Sequence, residues 1–158
     1  MRADFIQYFQ ESIAFFKAYQ CNGIYRPIDY LLKTSAEHHI EFMMVSLILS
    51  LESACSFYFS KILNYSMERI NDFDNIQQKL SHLNGALRFI TSDYLSDRLR
   101  EHVRNPLFHI GAIEDIEYPE LLNIYYKYYD LLIRIIFRTI GYTGKYRSAF
   151  NNYTEKPV

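Results

Sequence analysis

Apolar residues recur along this chain at intervals of three and four, and rarely at two, so helices are expected to dominate and no segment reads as a strand. A first helix is predicted over roughly Ala3 to Gln20, with Phe5, Tyr8, Phe9, Ile13, Phe16 and Tyr19 on one face and a stop near Gly23. A second, longer helix is predicted from Thr34, whose hydroxyl can cap while Glu37 returns the bond, to about Asn64. Ile40, Met43, Met44, Leu47, Leu51, Ala54, Cys55, Tyr58 and Ile62 make one stripe on it, while Phe42, Val45, Leu49 and Phe57 point elsewhere. A helix apolar on more than one side is central, or is partly covered by a second copy of the chain.

Asp74 and Gln77 mark the next capped start, leading through Ile76 and Leu80 to an interruption at Asn84-Gly85. A further helix is expected from Ser92 through Leu95, Leu99 and Val103 until it meets Pro106, which has no amide hydrogen and restricts Asn105 before it. The last long helix is predicted from Pro119, a favourable first-turn residue, to a stop at Gly141, followed by a polar, tyrosine-containing tail over residues 142–158. Repeats, low-complexity linkers and composition breaks are missing from the pattern. The expectation is therefore an all-α fold, a single helical bundle of about five helices over residues 1–158, with its core at about 35–141.

Composition changes this picture little. Hydrophobic residues make up 49% of the 158 positions, enough for one full core, and the net charge of -1 advertises neither nucleic-acid nor membrane binding globally. Any site for a polyanion must then be local. Cys21 and Cys55 lie far apart without a Cys-x-x-Cys pair or a secretory-type leader, which points to a reducing, cytoplasmic compartment. The apolar stretch Phe42 to Leu51 is too short to span a bilayer, which needs about 20 residues, so no membrane association is expected. Tyr 15 and Phe 12 without Trp are given no functional weight by themselves.

Chemistry concentrates in one segment, where Arg98, Arg100, His102, Arg104 and His109 crowd into an otherwise neutral chain. On a helix Arg100 and Arg104 share a face and can hold one phosphate backbone; the bland alternative is a solvated face with Asp97 and Glu101 as partners. Asn105 and His109 are also four apart and project together. Arg104 and His109 differ by roughly 140° around an ideal helix, so they converge only if the arginine wraps or Pro106 deforms the backbone. Alternatively, Asn105 caps a new helix starting at Pro106, and free amides favour an anion there. A core role for His109, between Phe108 and Ile110, stands against both.

Arg104-Asn105-Pro106-Leu107-Phe108-His109 resembles the Arg-x4-His motif of the HEPN domains (higher eukaryotes and prokaryotes nucleotide-binding), helical bundles in which Asn, His or Asp often follows the arginine. Gly141-Tyr142-Thr143-Gly144-Lys145-Tyr146 is similar, more weakly, to the end of the last helix in HEPN proteins associated with phage defence; together the two cover about residues 35 to 147. The resemblance implies a metal-independent endoribonuclease with no cofactor, in which His109 assists proton transfer at the ribose 2′-hydroxyl, Arg104 steadies the phosphoryl charge and Asn105 supports them. It also implies a homodimer with two motifs facing one cleft, RNA as substrate, and an antitoxin or larger defence complex as a partner. Some members carry a modifiable tyrosine two residues after the histidine; Gly111 stands there in this chain.

Other candidates complete the list. Glu52, inside an apolar run, either orients Arg104 or faces solvent beside Ser53 and Ser56. His38, His39 and Glu41 invite a metal reading, but adjacent helical residues diverge by roughly 100°, so an N-terminal helix face is preferred. Tyr142, Lys145, Tyr146 and Arg147 either extend an RNA surface or form a frayed tail. Two rival readings of the whole are a catalytically inactive HEPN domain that binds RNA or nucleotide or mediates dimerisation, and a helical interaction protein with an accidental motif.

Overall fold

The computed structural model describes residues 27–28, 39–95, 99–109, 113, 116–148, 150 and 153–158. The helix expected over Ala3 to Gln20 and the cap assigned to Thr34 and Glu37 lie outside them. Two long helices form the frame. Helix α1, Ile40–Phe57, continues into a π turn at Tyr58–Ile62, and α6, Tyr118–Thr139, packs against it. Short helices α2 (Met67–Asn71), α3 (Ile76–Asn84), α4 (Ser92–Leu95) and α5 (Asn105–His109) surround this pair, with a second π turn, Arg100–Arg104, running into α5. The described residues are mostly helical, as the apolar spacing requires.

Helix α1 begins later than expected. His39 is extended, at φ -96° and ψ 123°, so the helix starts where Ile40 supplies the first buried side chain rather than at Thr34. From there Met44, Leu47, Ile48, Leu51, Ala54 and Cys55 are buried, whereas Phe42 is 62% exposed. By length and composition Ile40–Ile62 would suffice to cross a membrane, which the shorter run Phe42 to Leu51 did not suggest; 56% of its apolar window is buried inside the molecule. Its apolarity therefore has a core to fill. The π turn ends the helix through Leu63 N–H donating to the Tyr58 carbonyl and Tyr65 N–H to that of Phe59, and Asn64 takes a left-handed φ of 56°. Phe59 is fully buried, stacked on Tyr65 and Phe73 at 5.4 and 5.0 Å.

The α3 cap is shifted by one residue from the expected Asp74 and Gln77. Asn75 Oδ1 accepts from Gln78 N–H at 3.0 Å, and Gln78 Oε1 accepts from Asp74 N–H at 3.0 Å. Gln77 is instead carried inward with Ile76 and Leu80, and among the described residues neither its amide nitrogen nor its amide oxygen finds a hydrogen bond. Helix α6 starts after Glu117 with Pro119 in its first turn, buries Leu121, Ile124, Tyr125, Tyr128, Leu131, Leu132 and Ile135, and stops where Gly141 adopts φ +82°.

The expected polar tail is a β-hairpin. β1, Lys145–Ser148, pairs antiparallel with β2, Thr154–Pro157, with Tyr146 opposite Lys156. Thus Gly141 to Tyr146 leads from a turn into a strand rather than ending a helix. Burial alternates along β1, placing Tyr146 and Ser148 inside and Lys145 and Arg147 outside. The Tyr146 hydroxyl donates to the buried Asp130 carboxylate at 2.8 Å, and the Tyr142 hydroxyl to the Lys145 carbonyl at 2.7 Å. A Cβ on Gly144 would collide with the Tyr142 ring. Both tyrosines hold the hairpin on the bundle, so neither is open for RNA stacking.

Several of these buried groups keep their protons unusually tightly. Burial pushes the Cys55 thiol from its ordinary 9.0 to about 12, and raises Tyr58, Tyr94, Tyr129 and Tyr146; the hydrogen bond to Asp130 adds to the last. Since the folded protein holds these protons more firmly than the unfolded chain, their stabilisation is full below about pH 9 and is lost as pH rises toward and beyond about 12. Urea midpoints are expected to fall between roughly pH 8 and roughly pH 11. An unchanged midpoint across that interval would contradict this burial.

Candidate functional site

The segment carrying the chemistry is built on the second π turn. Asn105 N–H donates to the Arg100 carbonyl five residues back, and the chain continues as α-helix through His109. Pro106 has no amide hydrogen, and its ring in an ordinary α-helix crowds the carbonyl of His102; a widened turn before the proline relieves that conflict. Asn105 sits at φ -62° and ψ -49°, inside the helical region, so it does not cap a new helix. The deformation at Pro106 is the geometry adopted.

Arg104 reaches across to α1. Its Nε–H donates to Glu52 Oε1 at 3.1 Å, and its guanidinium carbon lies 5.3 Å from the centroid of the Phe108 ring, one helical turn on. Glu52 therefore faces Arg104 rather than bulk solvent. The two side chains are 30% and 28% exposed, so the pair contributes only about 0–1 kcal/mol to stability; its consequence is orientation. With Nε committed, the two terminal amino groups of Arg104 make no hydrogen bond among the described residues. They remain able to donate to an anion.

His109 is exposed at the end of α5, so the alternative of a core histidine does not hold, and Asn105 is half-buried. Four residues apart on one short helix, they share a face adjacent to the one where Arg104 lies over Phe108. The imidazole has no hydrogen bond or ion pair among the described residues. Phe108, 46% exposed, was not foreseen as part of this group, although its spacing from Arg104 is the signal that places it there.

The remaining candidates do not all converge. Arg100 pairs with the neighbouring Glu101 at 3.2 Å instead of joining Arg104 on one phosphate, while His102 is exposed on the same turn. Arg98 and Asp97 lie outside the described residues. Lys145 and Arg147 are exposed on β1, and no hydrogen bond, ion pair or ring contact among the described residues joins them to Arg104 or His109. His39 lies edge-on to Phe42, His38 is outside the described residues, and no group of three metal-ligating side chains occurs among those described. Comparisons with protein-family models, curated proteins and solved structures found no match to this chain.

Proposed function

We propose that this protein is a HEPN-type endoribonuclease of a defence or toxin system, acting on RNA through Arg104 and His109 with Asn105 in support. The observation that carries the reading is the Glu52 clamp on Arg104, which leaves the outer guanidinium edge available, with the exposed His109 imidazole at the end of the short helix that follows directly. His109 takes the proton of a ribose 2′-hydroxyl as that oxygen attacks the adjacent phosphorus. The bond to the 5′-oxygen breaks, and the leaving oxygen takes a proton from solvent water. A 2′,3′-cyclic phosphate and a free 5′-hydroxyl result. Arg104 faces the negative charge that builds on the pentacoordinate phosphate, where fixed positive charge is most effective. The proposed reaction needs no cofactor, and the reading assigns the protein to a reducing cytoplasm, with which the buried free thiol of Cys55 is compatible.

A second reading, RNA binding without cutting, is favoured by one feature: no hydrogen bond among the described residues orients the His109 ring. Incubating clean protein with total RNA in EDTA separates the two. Cutting that survives chelation and leaves cyclic phosphate ends is expected; loss of cutting in EDTA that a divalent ion restores would sink the mechanism.

The reading includes a homodimer in which two motifs face one cleft, with an antitoxin or larger complex as a further partner. Phe42, 62% exposed, shares a helix face with half-buried Val45 and Leu49, apolar surface that a second copy would cover. Light scattering is expected to give twice the chain mass at micromolar concentration, and a monomer would count against it.

A further inference from the structure

A second basic site lies away from Arg104 and His109. Arg134 and Arg138, one turn apart on α6, and Arg88, from the turn after α3, line a cavity of about 420 Å³ with Ala86, Phe89 and Val158. No ion pair holds any of the three guanidinium groups among the described residues. Three guanidinium groups around one cavity, none of them closed off by an ion pair among the described residues, concentrate positive charge where an anion can join them. Arg134 is also set in place, its guanidinium carbon 4.1 Å from the centroid of the Phe89 ring. Its Nε is buried and has no hydrogen bond among the described residues. Stacking fixes the plane of a guanidinium and leaves its edge to donate, which suits the paired oxygens of a phosphate.

We infer that Arg88, Arg134 and Arg138 form a phosphate-binding pocket distinct from the Arg104 and His109 site. The phosphate belongs to a free nucleotide or to an RNA backbone, and the two sources share the same recognition chemistry. The pocket goes beyond the nuclease reading and stands whether or not His109 cuts RNA. Arg88 and Arg138 are both exposed, so substituting them is expected to leave the fold in place.

The test uses the full chain and three probes: inorganic pyrophosphate, adenosine 5′-monophosphate, and a 2′-O-methyl RNA oligonucleotide that offers phosphates without an attacking hydroxyl. Arg88→Gln, Arg138→Gln and Arg134→Gln are each expected to weaken binding at least about tenfold, with circular dichroism unchanged. For the oligonucleotide, each substitution should also reduce the slope of log affinity against log salt by about one contact's worth. Loss confined to pyrophosphate or the nucleotide assigns the pocket to free phosphate ligands; loss confined to the oligonucleotide assigns it to the backbone. Parental affinity for every probe in Arg88→Gln and Arg138→Gln, or no probe bound by the parental protein, overturns the pocket.

Discussion

His109→Ala is expected to lower RNA cutting by at least about a hundredfold while leaving RNA affinity nearly unchanged. The imidazole is exposed at the end of α5 and makes no hydrogen bond or ion pair among the described residues, so its removal should leave the fold and its thermal midpoint intact. Binding persists because phosphate attraction comes from arginines that the substitution does not touch. Arg104→Ala is expected to behave differently. It removes the donor that faces the phosphate and leaves Glu52 without its partner, so cutting and affinity should both fall. Rates come from a labelled oligonucleotide, and affinities from the same sequence with its 2′-hydroxyls methylated.

The largest expected loss of stability belongs to Phe59→Ala. Phe59 is fully buried in the π turn that ends α1, and two further rings stack on it, so truncation removes both its own burial and the contacts that order Tyr65 and Phe73. A cost of about 3–5 kcal/mol is expected. For a chain of this length that lowers the thermal midpoint by roughly 6–20 °C. Phe42→Ala, at a 62% exposed position, should cost about 0.5 kcal/mol or less within one chain. Denaturant unfolding of the two variants measures the contrast; equal stabilities would contradict the core described for the π turn.

The helical frame was legible because Leu47, Leu51 and Cys55 on α1, and Tyr125, Leu132 and Ile136 on α6, recur at helical spacing and are buried. Cap positions were less legible, since Asp74 and Asn75 are both good caps and Gln77 and Gln78 can both return the bond. Packing of Ile76 and Leu80 decided between them. The hairpin escaped because β2, Thr154–Pro157, is almost wholly polar, and only the alternation in Lys145–Ser148 marks β1. Its anchor, the Tyr146 hydroxyl on Asp130, joins residues 16 positions apart and has no local signature.

The surroundings of Arg104 could be read only in part. The apolar run around Glu52 left two outcomes open, a bond to Arg104 or a solvent-facing carboxylate beside Ser53 and Ser56, while Pro106 announces a distortion next to Arg104. That the distortion is a π turn placed before the proline, with Asn105 inside the helix, depends on how Leu99, Val103 and Leu107 seat in the core. The Arg88 pocket was not visible, because Arg134 and Arg138 show their spacing but Arg88 is brought to them only by the turn after α3.

The central claim, that Arg104 and His109 act on one phosphoryl centre, is tested most directly by a double-mutant cycle on a single RNA substrate. Arg104→Ala, His109→Ala and the double variant are compared under single-turnover conditions with folding checked. Two groups working as a unit predict a double variant little slower than the slower single. Cutting at the parental rate in both folded single variants, or losses that simply multiply in the double, would contradict the account.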